Sequence, residues 1–192
     1  VYGNNKKVPF ETTDNVDHPI SLYAATKKSN EVMAYAYSNI YKMSITGLRF
    51  FTVYGPYGRP DMALFQFVDS IFKSKTISLY NKGDHIRDFT YITDVVNSVE
   101  KLINKPPKNK VPFDIFNIGC ARPQTLKKFL SIIETCIGKK AKVKYLGLQK
   151  GDVYKTHASI KKLEKKIGYK PETKIEEGIK KFVDWYKDYY KP

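Results

Sequence analysis

Ile45 to Val53 is a run rich in β-branched and aromatic residues, and it stops at Tyr54-Gly55-Pro56-Tyr57-Gly58-Arg59-Pro60-Asp61. Two glycines and two prolines in eight residues forbid a regular element there. Met62 to Lys75 then resumes with Phe65, Val68, Ile71 and Phe72 at helical spacing. A buried strand, a shaped loop and an amphipathic helix, in that order, predict a sheet with helices packed on its faces. In open α/β sheets, ligands bind beyond the carboxyl ends of the strands, which is where this loop lies.

The rest of the chain repeats the alternation. Ile20 to Met43 is predicted as a long helix started by Pro19 and Ser21, with Leu22, Ala25, Met33, Ala36, Tyr37 and Ile40 at helical spacing. Its small and aromatic residues suit tight packing, including against a second copy. Thr76–Tyr80, Phe113–Gly119 and Ala141–Leu146 read as strands, and Arg87 to Ile92 as extended. Thr93 is expected to cap a helix carrying Asp94 in its first turn, and Thr125 to cap another that Gly138 stops. Ser159 to Ile167 reads as a short basic helix closed by Gly168. Thr173 and Glu176 fit a capping box for a last helix burying Ile179, Phe182, Val183 and Tyr186. No repeat is visible.

Composition narrows the function classes. With 42% hydrophobic residues the chain can bury a core, and no apolar run approaches a membrane span. The formal charge of +15 raises nucleic acid as a partner. The excess is spread along Lys139–Lys191, without a zinc-finger, helix-turn-helix or RNA-recognition pattern. A lysine-rich surface that attracts an anionic small molecule is the favoured reading; a basic, non-catalytic binding module is the alternative. Cys120 and Cys136 lack ligand spacing, and His18, His85 and His157 are scattered, so no metal site is expected. The thiols read as reduced, in a cytoplasmic protein. Val1-Tyr2-Gly3-Asn4-Asn5-Lys6-Lys7 is neither a signal peptide nor a fold start, so the chain is expected to begin inside a longer protein.

Within the first helix stands Tyr23-Ala24-Ala25-Thr26-Lys27. Four residues apart, Tyr23 and Lys27 share one face. A free phenol gives up its proton only near pH ~10. An ammonium one turn away favours the phenolate, making the pair a candidate general base. Alone, the motif is also what a surface helix with a snorkelling lysine looks like.

Five segments in order then resemble one family. Val1-Tyr2-Gly3, Tyr23 to Lys27, Arg49-Phe50-Phe51-Thr52-Val53-Tyr54-Gly55-Pro56, Gly58-Arg59-Pro60-Asp61-Met62-Ala63 and Arg87-Asp88-Phe89-Thr90-Tyr91-Ile92 are similar to extended short-chain dehydrogenases acting on nucleotide sugars. The third and fourth most resemble UDP-glucuronate 4-epimerases. The resemblance implies a partial Rossmann-like, doubly wound α/β sheet with a smaller substrate lobe. Residues 1–56 and 88–119 would belong to the NAD-binding part, and residues 57–87 and 120–192 to the nucleotide-sugar lobe. The family's glycine fingerprint, and the serine or threonine just before Val-Tyr-Gly, are not in this sequence. As it stands the chain is therefore expected neither to hold NAD tightly nor to turn over.

By that resemblance, Tyr23 takes the proton from the sugar 4-hydroxyl, and Lys27 assists it and bonds the nicotinamide ribose. Phe50 and Val53 flank the nicotinamide. Thr52 bonds the sugar or its carboxylate, and Arg59 clamps that carboxylate. Arg87 neutralises the UDP diphosphate, Tyr80 packs on the uracil, and Asp152 lies in a loop closing over the nucleotide. Asp94 is expected to serve its helix, and His85 to be solvated. NAD is the implied cofactor, a UDP-sugar the substrate, and a homodimer through the Tyr23 helix the assembly. Alternatives on the same scaffold are another nucleotide-sugar epimerase, a dehydratase or a decarboxylase.

Overall fold

The structure, a computed structural model, describes residues 1–147 and 153–192. Helix α1 (Leu22–Tyr41) leads into β1 (Ile45–Phe50), β2 (Thr52–Tyr54), α2 (Ala63–Phe72) and β3 (Thr76–Tyr80). β4 (Ile86–Arg87), β5 (Phe89–Tyr91), α3 (Ile92–Ile103) and β6 (Phe113–Ile118) follow. β7 (Gln124–Thr125), α4 (Leu126–Ile137), β8 (Lys142–Leu146), α5 (Lys161–Ile167) and α6 (Ile175–Tyr190) complete the chain. The α/β alternation is as the sequence predicts.

The long pairings are parallel. Ile45 to Phe50 run beside Phe113 to Ile118, Thr52 to Tyr54 beside Phe89 to Tyr91, and Thr76 to Tyr80 beside Lys142 to Leu146. β4 and β7 pair antiparallel, with Arg87 opposite Gln124. The expected single strand Ile45–Val53 is split at Phe51. The Phe51 amide donates to Ile118 and the next amide, Thr52, donates to Asp88. The chain thus changes partner strand between two residues, and the Gly55–Asp61 loop leaves from the far side of that change.

Two apolar clusters hold the elements. One gathers Tyr54, Phe65, Val68, Phe89, Phe129, Ile133, Phe182 and Tyr186 around α2, α4 and α6. The other gathers Val95, Phe116, Ile118, Ala158 and Leu163 between α3, β6 and α5. Phe89 and Phe129 stack with centroids 4.0 Å apart.

Local signals succeed where the partner is close in sequence. Ser21 Oγ accepts from the Ala24 amide and Thr125 Oγ1 from the Lys128 amide, while Gly138 ends α4 left-handed. Two caps differ from expectation. α3 starts two residues earlier than a Thr93 cap allows, with Tyr91 as its cap residue. The predicted Thr173–Glu176 box does not form, because α6 is capped by Lys174 without a side-chain bond. The Thr173 amide donates to Asp94 Oδ2 instead, at 3.0 Å. The expected apolar stripe of α1 also differs: only Ala24 and Ser38 are buried, leaving Leu22, Met33, Tyr37 and Ile40 exposed. No helix among the described residues is long and apolar enough to cross a membrane.

Candidate active site

Tyr23 lies in the first turn of α1, fixed by the Ser21 cap beneath it. Its carbonyl accepts from Thr26 Oγ1 at 2.8 Å. The Lys27 ammonium sits 5.2 Å from the centre of the Tyr23 ring, as the four-residue spacing predicts. Both side chains are open, Tyr23 being 72% exposed. Chemically, this is an accessible phenol with a cation one turn away.

Helix α1 is held on the sheet by a polar staple. Arg49 of β1 donates Nε to Glu31 Oε1 at 2.7 Å and Nη2 to Glu31 Oε2 at 2.9 Å. Its Nη1 donates to the Tyr2 hydroxyl at 3.0 Å, and that hydroxyl donates to Asn117. Burial works against the Arg49 charge, but the Glu31 and Tyr2 bonds outweigh it, and the guanidinium is held more firmly protonated than usual. Burial pushes the Tyr2 phenol up. The sequence gives no local signal for this set, since Tyr2, Glu31, Arg49 and Asn117 stand on four separate segments.

Thr52 opens β2, opposite Phe89. Thr52, Val53, Gly55, Gly58 and Arg59 share the wall of one cavity of about 40 Å³, closed below by Phe89, Phe129 and Phe182. That volume has room for only a few waters. The cavity is too small to hold a sugar ring. Arg59 is exposed, and its guanidinium forks onto Asp61, with Nε to Oδ1 at 3.0 Å and Nη2 to Oδ2. The Asp61 bond and charge raise Arg59's affinity for its proton, and the nearby Tyr23 phenol adds to them. The Arg59 bond holds the Asp61 carboxyl below the usual range. Arg59 therefore stands on the wall it shares with Thr52, held by Asp61.

The remaining expected residues are placed as follows. Phe50 ends β1 opposite Ile118 and is 52% exposed, presenting an apolar face. Val53 is half-buried opposite Thr90, packed on the cluster of α3, β6 and α5. Tyr80 ends β3, half-buried, opposite Leu146. Arg87 is half-buried and donates Nη1 to the carbonyls of Ile86 and Tyr154 at 3.1 and 3.2 Å. Asp152 lies outside the described residues. His85, expected to be solvated, is 3% exposed; the Leu126 amide donates to its carbonyl, and the Tyr154 ring lies 6.2 Å from its imidazole.

One residue beside this set was given no role by its sequence. Asp88 is fully buried, and its carboxylate accepts from three backbone amides: Cys120 at 3.0 Å, Ala121 at 3.1 Å and Ala158 at 2.9 Å. Its carbonyl accepts from Thr52. It knots the ends of β2 and β6 to the segment after residue 152. Burial, and then the Asp88 charge, push the Cys120 thiol up to about 12, so this cysteine is inert near neutrality.

Residues 1–119 match the model of the NAD dependent epimerase/dehydratase family. The chain belongs to that family. Family relatives extend along the whole chain. Protein CapI of Staphylococcus aureus is 50% identical over 205 residues, covering 100% of this chain and 61% of the relative. A probable UDP-glucuronate 4-epimerase of Rhizobium meliloti is 45% identical over 206 residues, covering 100% and 60%. Among solved family folds, the UDP-glucuronic acid 4-epimerase from Bacillus cereus, in complex with UDP-glucuronic acid and NAD, superposes with a TM-score of 0.87 at 29% identity. That match covers 96% of this chain and 58% of the other. The chain thus spans about 60% of the length of the curated relatives it matches.

Proposed function

We propose that this chain forms the catalytic helix and nucleotide-sugar side of a UDP-glucuronate 4-epimerase. The observation that carries the reading is the Tyr23–Lys27 pair on α1, together with Thr52 and Arg59 on one cavity wall. The phenol is accessible with its ammonium 5.2 Å from the ring centre, and a guanidinium shares a cavity wall with the hydroxyl that opens β2. A proton acceptor and an anion receptor suit a sugar bearing both a hydroxyl and a carboxylate.

The residues present fit one side of a nicotinamide cofactor. Lys27 offers an exposed ammonium for ribose hydroxyls, and Phe50 offers an open apolar face. No glycine fingerprint for the pyrophosphate stands in this sequence. When bound, NAD supplies a hydride acceptor that can return what it takes. Tyr23 receives the 4-hydroxyl proton and gives it back. Lys27 holds positive charge beside that exchange. Thr52 and Arg59 orient the sugar through its ring and carboxylate, with Asp61 the anion displaced. Arg87, Tyr80 and Asp152 are assigned to the nucleotide end.

The two-lobed division at residues 56/57, 87/88 and 119/120 belongs to the same proposal. So does a homodimer through α1, supported by exposed Met33, Tyr37, Ile40 and Tyr41 on that helix. Sedimentation of the full-length protein should give twice the chain mass; a monomer would remove the dimer. The activity test is incubation of the protein at its full natural length with UDP-glucuronate and NAD, followed by chromatography. UDP-galacturonate is the expected product. Release of carbon dioxide, or no product at all, would replace this reading with a decarboxylase or an inactive binding protein.

A further inference from the structure

Arg59 sits on a loop that helix α6 meets at its base and at its tip. At its base, Gly178 has no room for a side chain: a Cβ there would meet the Tyr54 hydroxyl at 2.3 Å. At its tip, Tyr57 is 78% exposed and left-handed, with φ at 60°, an uncommon conformation for a bulky residue. Such a residue keeps its place only if its surroundings fix it. The Tyr57 ring lies 5.1 Å from Trp185 and 6.1 Å from Tyr189, and Trp185 stacks on Tyr189 at 5.6 Å. Between these contacts and the guanidinium the loop is closed by its own bonds, Gly58 amide to Gly55 carbonyl and Met62 amide to Arg59 carbonyl.

Trp185 is kept there at a cost. Its indole Nε1 is buried without a hydrogen-bond partner among the described residues. A buried donor left unpaired is destabilising, and phenylalanine in its place would avoid this. The ring face, used against Tyr57, is what the position needs. Neither Trp185 nor Tyr189 lines the Thr52–Arg59 cavity.

We propose that Tyr57, Trp185 and Tyr189 are positioning residues for Arg59. The C-terminal helix would thereby set the preference for an acidic over a neutral UDP-sugar without touching either. This rests on Arg59 reading the carboxylate, and the test separates the two ideas. Full-length protein with NAD is titrated calorimetrically with UDP-glucuronate and with UDP-glucose, as wild type, Arg59→Ala, Tyr57→Ala, Trp185→Ala and Trp185→Phe. Tyr57→Ala and Trp185→Ala should weaken UDP-glucuronate about tenfold, the scale of one charge-assisted hydrogen bond, and leave UDP-glucose within about twofold. Trp185→Phe should keep the preference, and Tyr57→Ala should add nothing in the Arg59→Ala background. If Arg59→Ala loses the preference while Tyr57→Ala and Trp185→Ala keep it, or weaken both sugars alike, the positioning role is wrong. If Arg59→Ala itself keeps the preference, the carboxylate reading falls and takes this role with it. Should Trp185→Ala fail to fold, the exposed Tyr57→Ala decides alone.

Discussion

Tyr23 and Lys27 could be paired from their spacing alone, because a helix fixes what lies four residues away. Phenylalanine at position 23 keeps the ring under the Lys27 ammonium and removes only the oxygen that moves the proton. Its expected effect is a fall in kcat of roughly 10²–10⁴-fold with little change in KM; a loss confined to KM would make Tyr23 a binding residue only. Asp61 was not legible as a partner, although it stands two residues from Arg59, because exposed loop residues have no periodicity to place them. The fork it occupies is the one a uronate needs. Asparagine at position 61 should tighten UDP-glucuronate binding a few-fold, the scale of an exposed ion pair, and calorimetry that shows weakening would place Asp61 on the substrate's side. Asp88 was equally hidden: its three donors come from residues 120, 121 and 158, far along the chain.

Helices and strands were legible wherever one segment carried its own signal. Ser21 and Thr125 cap their helices, while Thr173 loses its helix because Asp94 captures its amide from across the fold. The apolar pattern of α1 marks a helix, but most of the residues that make the pattern stay exposed. What anchors α1 is the Arg49–Glu31 staple, whose side chains are 7% and 14% exposed. Glutamine at position 31 should cost about 3–5 kcal/mol, the usual result of stranding one buried charge. A urea midpoint equal to wild type would mean that the staple is dispensable. For α6, Gly178→Ala sets two effects against each other. Alanine favours the helix by about 1 kcal/mol, whereas overpacking against the buried Tyr54 costs about 1–3 kcal/mol. Packing should win and the melting temperature should fall.

At the scale of the whole molecule, alkali works against the fold. Burial raises the proton affinity of Cys120, Tyr54 and Tyr186 together. The folded protein then holds protons that the unfolded chain releases from about pH 9, the ordinary thiol range, upward. Stability is complete below that point and drains away as pH rises towards 12, where the folded Cys120 finally titrates. Melting temperatures taken from pH 8 to pH 10.5 should decline, and less steeply in Tyr54→Phe; a flat series would mean that these groups ionise without opening the core. With a charge of +15, capture of an anionic UDP-sugar should also slow as salt is added.

The parallel pairings join residues far apart in the chain, Ile45 with Phe113 and Thr76 with Lys142. Ribosomal synthesis therefore exposes β1 and β3 long before their mates emerge, and the entropy of closing those long loops is met before any pairing rewards it. Until then the bare strand edges are open to neighbouring nascent copies. Cooler, slower expression should raise the soluble yield of this chain more than that of an all-helical protein of equal length.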